Sequence, residues 1–164
     1  MIVHEDCSSL DDLKEEYIKF KDKYKLPEFL EMNRLFDIEE IDIDTDFLLR
    51  KIRRVVSERI AGYLRFVEIV LNPSNAPMFF FKLIKKLDEG DKQSLSEVYD
   101  VLGKFEVEIL ALDIDYSEEK EAEFINNVFV AFDGDIKKKL LKVVKRMGKG
   151  DEDIKKVSNG GYVG

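Results

Sequence analysis

Six basic side chains fall between positions 50 and 65: Arg50, Lys51, Arg53, Arg54, Arg59 and Arg65. Arginine forks match phosphate and carboxylate oxygens bidentately, so the chemistry such a run offers is anion binding. On a helix, Arg50, Arg54 and Arg65 share a face with Asn72. Four of the bases stand in the first turns of the longest helix, where the macrodipole disfavours cations. A departure of that kind marks either a compensated charge network or a binding site. Compensating partners are at hand. Glu58 lies four residues after Arg54, Glu68 three after Arg65, and the acids of 37–46 lie just upstream. The compensated network is therefore the first expectation, and a phosphate or nucleic-acid site built on Arg50, Arg53, Arg54, Arg59 and Arg65 is the second.

A second basic stretch, Lys137, Lys138, Lys139, Lys142, Lys145 and Arg146, would extend such a site along a nucleic-acid backbone. Against this, the net charge of −8 repels polyanions at long range, and neither stretch has the interleaved aromatics of single-strand binders. A solvated lysine face is the plainer reading.

Other clusters offer less. Asp42, Asp44 and Asp46 alternate as in the start of a calcium loop. The turn position then holds Phe47 instead of glycine, and the bidentate-acid position holds Arg53, so an acidic lead into a helix is expected. Asp113 with Asp115, and Asp133 with Asp135, read as caps or turns. His4, Glu5, Asp6 and Cys7 could chelate a transition metal only weakly from one short terminal stretch. His4 is the single histidine and Cys7 the single cysteine, so catalytic triads, tetrahedral zinc sites and di-iron Glu-x-x-His pairs all lack their ligands. No glycine-rich phosphate loop occurs. No catalytic residue, metal or cofactor is expected; carboxylate and divalent-metal catalysis is the one enzymatic alternative left.

Met78, Phe79, Phe80 and Phe81 pose a different question. Successive helical residues turn by about 100°, so three aromatics in a row cannot all face one core. At least one must meet a neighbouring helix, a second subunit or a partner, and these four residues are the candidate interaction surface.

The elements that would position these groups are helices. Ser8 or Ser9 caps a first one, whose apolar residues Leu10, Leu13, Tyr17, Phe20 and Tyr24 step by three and four. Pro27 opens a short second helix through Phe36. The third runs from about Asp46 to Leu71, broadly apolar through Leu49, Ile52, Val56, Ile60 and Val67, and Pro73 stops it. Ser74 or Asn75 is expected to cap a fourth helix that Gly90 ends. Leu95, Val98, Leu102, Phe105, Ile109 and Leu112 form the most regular seam in the chain, suited to pairing inside a bundle or across a dimer. From Ser117 a last helical region carries Phe124, Val128, Phe132, Ile136, Leu140, Val143 and Met147, with a break or kink expected at Gly134 and an end at Gly148 and Gly150.

These elements make an all-α antiparallel bundle of about six helices in a single domain over 1–150, followed by a flexible polar tail over 151–164. The 164 residues, 45% hydrophobic and 38% charged, suffice for a packed core. The lone cysteine suits a reducing, cytoplasmic setting, and residues 1–10 lack the apolar run of a secretory signal. The longest charge-free stretch, 69–81, has 13 residues and two prolines, whereas a membrane span needs roughly 20 apolar ones. Charge is segregated: −9 over 1–46, +5 over 47–90, −9 over 91–133 and +5 over 134–164. Internal neutralisation or a bipolar surface follows, the former being the default. The leading functional expectation is a non-enzymatic module that binds a protein partner or forms a homo-oligomer through the 78–81 aromatics or the 95–112 seam.

Overall fold

A computed structural model describes residues 10–41 and 47–159. The fold is all-α with bundle-like packing. Its helices are α1 (Leu10–Tyr24), α2 (Phe29–Phe36), α3 (Leu48–Leu71), α4 (Met78–Ile84), α5 (Glu89–Ile114), α6 (Glu118–Ala131) and α7 (Lys137–Asn159). The last two are joined by a π-helical turn, Phe132–Ile136, so the described residues form six helical stretches, the number expected. No helix among the described residues is long and apolar enough to cross a membrane.

The chain divides into two compact units, and α3 and α5 contribute to both. Unit 1 comprises Met1–Ala61 and Phe105–Asp133; unit 2 comprises Gly62–Lys104 and Gly134–Gly164.

In unit 1, α1 packs on α2 and α6. Tyr17 is fully buried, meets Phe29 edge-on at 5.5 Å and donates its hydroxyl to the Pro27 carbonyl at 2.7 Å. That bond holds the α1–α2 connection, and burial among acids raises the phenol's pKa, with desolvation the main cause. Lys25 and Asp37 end α1 and α2 in left-handed conformations, and the Asp37 amide donates to the Asn33 carbonyl. Phe36 packs edge-on against Phe132, and Phe105 against Phe124. Ser117 caps α6 as expected, accepting from the Lys120 amide.

In unit 2, α4 packs on α7. The residues Leu95, Val98 and Leu102 of the α5 seam are buried, as are Ile136, Leu140, Val143 and Met147. Three local expectations are corrected here. Gly90 does not end the fourth helix; it sits in the first turn of α5, because Asp88 and Asp91 form a reciprocal cap. The Asp91 amide donates to Asp88 Oδ1 at 2.8 Å and the Asp88 amide to Asp91 Oδ2 at 3.1 Å. Ser74 and Asn75 do not cap α4: residues 73–75 form a short 3-10 turn, Ser74 donates to the Asn72 side chain, and α4 starts after Pro77 without a side-chain cap. Helix α7 also passes Gly148 and Gly150 and reaches Asn159. At Gly134, where a break or kink is expected, the backbone widens into the π turn, which absorbs one residue without ending the helix.

Candidate functional site

The arginine run divides by environment. Leu49, Val56 and Ile60 place the inward stripe of α3, and Arg53, four residues from the first and three from the second, falls on that stripe. It is 1% exposed. Its Nε donates to Glu121 Oε1 at 2.9 Å and its Nη2 to Asp113 Oδ1 at 2.8 Å, tying α3 to α5 and α6 within unit 1. Glu121 is completely buried in the first turn of α6, where the dipole favours an anion. Burial raises its pKa; the Arg53 and Arg50 charges oppose that shift.

Beside this pair, the Arg50 guanidinium lies over the Tyr116 ring, 5.5 Å from its centroid, and Phe47 meets the same ring edge-on. Burial, with the Glu121 charge, raises the Tyr116 pKa. Among the described residues, Arg50 Nε and Glu121 Oε2 are buried without hydrogen-bond partners. Arg59 pairs with Asp37. Two of the five arginines therefore spend their forks on carboxylates and a third stacks on a phenol. Arg54 of unit 1 and Arg65 of unit 2 are exposed and make no ion pair among the described residues. The partners expected next to them do not engage them: Glu68 instead accepts from the Tyr99 hydroxyl at 3.4 Å. A groove of about 430 Å³ in unit 2 is lined by Glu68, Ile69, Leu71, Asn72, Ala76 and Tyr99. The one ionised side chain among its described lining residues is the Glu68 carboxylate, which disfavours an anion beside Asn72.

The basic stretch of α7 divides likewise. Lys139 pairs with Glu97 and Asp135, and Arg146 clamps the α5 cap through Asp88 and through Asp91 at 3.1 Å. Lys137, Lys138, Lys142 and Lys145 make no ion pair among the described residues. Acidic and basic segments thus neutralise one another at named pairs within each unit, leaving a remainder of lysines.

Met78 and Phe79 open α4 in solvent, 83% and 69% exposed. Phe80 is half-buried against Phe79, Phe81 is partly exposed, and Ile84 is buried. The 95–112 seam, the other interaction surface offered by the sequence, faces inward along its whole length. The carboxylates Asp42, Asp44 and Asp46 and the group His4–Cys7 lie outside the described residues. Among the described residues no three His, Cys, Asp or Glu side chains could hold a metal ion together.

Sequence reasoning passed over Glu121 as a partner for Arg53. The signal was present: Glu121 stands three, four and seven residues before Phe124, Ile125 and Val128, on the apolar stripe of α6. Asp91 stands in the same way on the stripe of Leu95 and Val98. An acid in register with a buried stripe calls for a cation, and Arg53 and Arg146 supply it. Compared with known proteins, the chain matches no family model, no curated protein and no solved structure.

Proposed function

We propose that the protein is a non-enzymatic helical interaction module that contacts a protein partner, or another copy of itself, through the start of α4. The supporting observation is the exposure of Met78 and Phe79 on a helix whose other end is anchored by buried Ile84. Covering two such side chains contributes on the order of 3–6 kcal/mol to association before the costs of ordering. The single cysteine suits action in the cytoplasm. A photo-crosslinking amino acid at position 79, activated in cells expressing the full chain, tests the reading. A discrete adduct, with a second polypeptide or with the same chain, is expected; crosslinks quenched by solvent alone would refute it.

A second reading, phosphate or nucleic-acid binding, draws on Arg54 and Arg65, exposed and without ion pairs among the described residues. Titration of labelled single- and double-stranded nucleic acid at several salt concentrations tests it. Affinity falling linearly with log salt supports the reading, and no binding at low salt removes it.

A further inference from the structure

Helix α5 is apolar on two opposite sides. One is the inward seam. The other is Val107, Leu110 and Ile114, spaced by three and four residues and 66%, 61% and 87% exposed, with exposed Ala111 beside them. A helix apolar all round belongs in an interior, yet among the described residues nothing covers this side. Next to it, between α5 and α6, runs a groove of about 240 Å³ whose walls include Glu108, Glu123, Leu112 and Phe124. Lys120, also on the wall, is held by Asp115 at 3.1 Å. Glu108 and Glu123 make no ion pair among the described residues, so the groove presents two carboxylates above apolar carbon. That combination suits a lysine, whose stem is apolar and whose tip is a cation.

The complementary face is on α7. Leu141 and Val144 flank the buried line of Leu140, Val143 and Met147 and are about half exposed. Around them stand Lys137, Lys138, Lys142 and Lys145, none of them in an ion pair among the described residues. The whole-unit charges agree with this division. Unit 1 carries 25 acids and 12 bases, net −13, and unit 2 carries 10 acids and 15 bases, net +5.

We infer that the α5 outer face of one copy binds the lysine-flanked α7 face of a second copy, so that the chain assembles head to tail. Charge decides the pairing. Two α5 faces would set Glu106, Glu108 and Glu123 against their own like, and two α7 faces would do the same with lysines. Only the mixed contact neutralises both and covers apolar carbon on each side. Such a contact is heterologous: each end keeps one unused face, and growth continues until a ring closes or a filament extends. The contact is separate from the α4 surface and does not rest on it.

The test is sedimentation of the full chain over a wide concentration range, repeated in a Met78→Ser/Phe79→Ser background so that α4 cannot substitute. Assembly beyond the 19.1 kDa monomer is expected, weakening as salt rises. Variant A, Leu110→Ser/Ile114→Ser, removes the apolar carbon of the α5 face without adding charge that would attract the lysines; variant B, Lys138→Glu/Lys142→Glu, reverses the charge of the α7 face. All four positions are exposed, and far-ultraviolet circular dichroism checks that each variant keeps its helix content. If A does not, Leu110→Ala/Ile114→Ala replaces it. Each variant alone is expected to be monomeric, while a one-to-one mixture gives a heterodimer of twice the monomer mass through the two intact faces. A monomeric wild type, self-association of A or B alone, or a mixture that stays monomeric would each overturn the inference.

Discussion

The two units of this chain handle charge and backbone freedom in opposite ways. Unit 1 is strongly acidic, contains no glycine, and buries a complete arginine–glutamate pair in its centre. Unit 2 is basic, holds all nine glycines, and makes its principal ion pairs through cations that stay partly in solvent: Arg146 meets exposed Asp88 and buried Asp91, and Lys139 meets Glu97. A buried pair is costly to form and far costlier to break, because removing one partner strands the other charge out of water. A partly exposed clamp is screened and worth less. Unit 1 is thus held by an interaction that fails all at once, and unit 2 by a helix cap and packing that fail by degrees.

The largest expected effect follows from that difference. Glu121→Leu leaves the Arg53 guanidinium without its buried partner, and Asp113 alone, half exposed, cannot replace it. Unfolding in urea is expected to show a loss of about 3–5 kcal/mol, a large share of a typical domain's stability. The double variant Arg53→Met/Glu121→Leu removes both charges and is expected to recover most of that loss or exceed wild type. If the double variant is as unstable as the single one, the pair acts through its hydrogen-bond geometry and not through charge balance. Arg146→Ala in unit 2 is expected to cost less, about 1–3 kcal/mol, since its guanidinium is partly exposed but its loss leaves buried Asp91 with the Asp88 amide as its donor.

How much of this could be read beforehand depends on what each element buries. Helix limits and core stripes were legible wherever apolar spacing was regular: α3 ends at Leu71 before Pro73, and the six residues of the α5 seam are buried as their period requires. What failed was local punctuation. Gly90 looks like a stop because glycine often ends helices, but the carboxylates on either side of it make a cap, and reciprocal bonding between Asp88 and Asp91 is invisible until both are placed. The arginine cluster was visible as a cluster, yet its partners lie 60 and 68 residues away from Arg53, beyond the reach of local pairing rules. Val107, Leu110 and Ile114 were hidden for the opposite reason: the stronger seam on the same helix accounted for the periodicity and drew attention from the second stripe.

The two units should also diverge with pH. In unit 2, the Asp91 amide and then Arg146 hold the Asp88 carboxyl below its ordinary range, and Lys139 does the same for Glu97. Stability from these groups is present above the ordinary carboxylate range and lost as pH falls through their lowered values. In unit 1, Glu121 is shifted the other way by burial, so the folded state holds its proton to a higher pH than the unfolded chain does. Its contribution declines as pH rises from the ordinary carboxylate range through the raised value. Denaturant titrations across the acid range should therefore show Asp88→Asn flattening the loss of stability on acidification. Glu121→Gln should flatten the decline on the alkaline side of that range. Parallel curves for both variants and wild type would mean that neither carboxyl is coupled to folding.

The smallest expected effects concern the glycines of unit 2. A Cβ added at Gly103, within α5, or at Gly134, in the π turn, would meet nothing within 4 Å, and neither residue has a positive φ. Gly103→Ala and Gly134→Ala should each raise stability by about 0.4–1 kcal/mol by restricting the unfolded chain and favouring helix. Gly90 is the internal control, because it lies on the same helix as Gly103. A Cβ there would come within 3.2 Å of Asp88 Oδ1, the atom that receives the Asp91 amide, so the helix-propensity gain is offset by disturbance of the cap. Gly90→Ala should then give no gain in a thermal or urea melt. Equal stabilisation at positions 90 and 103 would show that the Asp88–Asp91 cap yields at no cost, and the distinction between a unit locked by buried charge and a unit held by its cap would narrow to unit 1 alone.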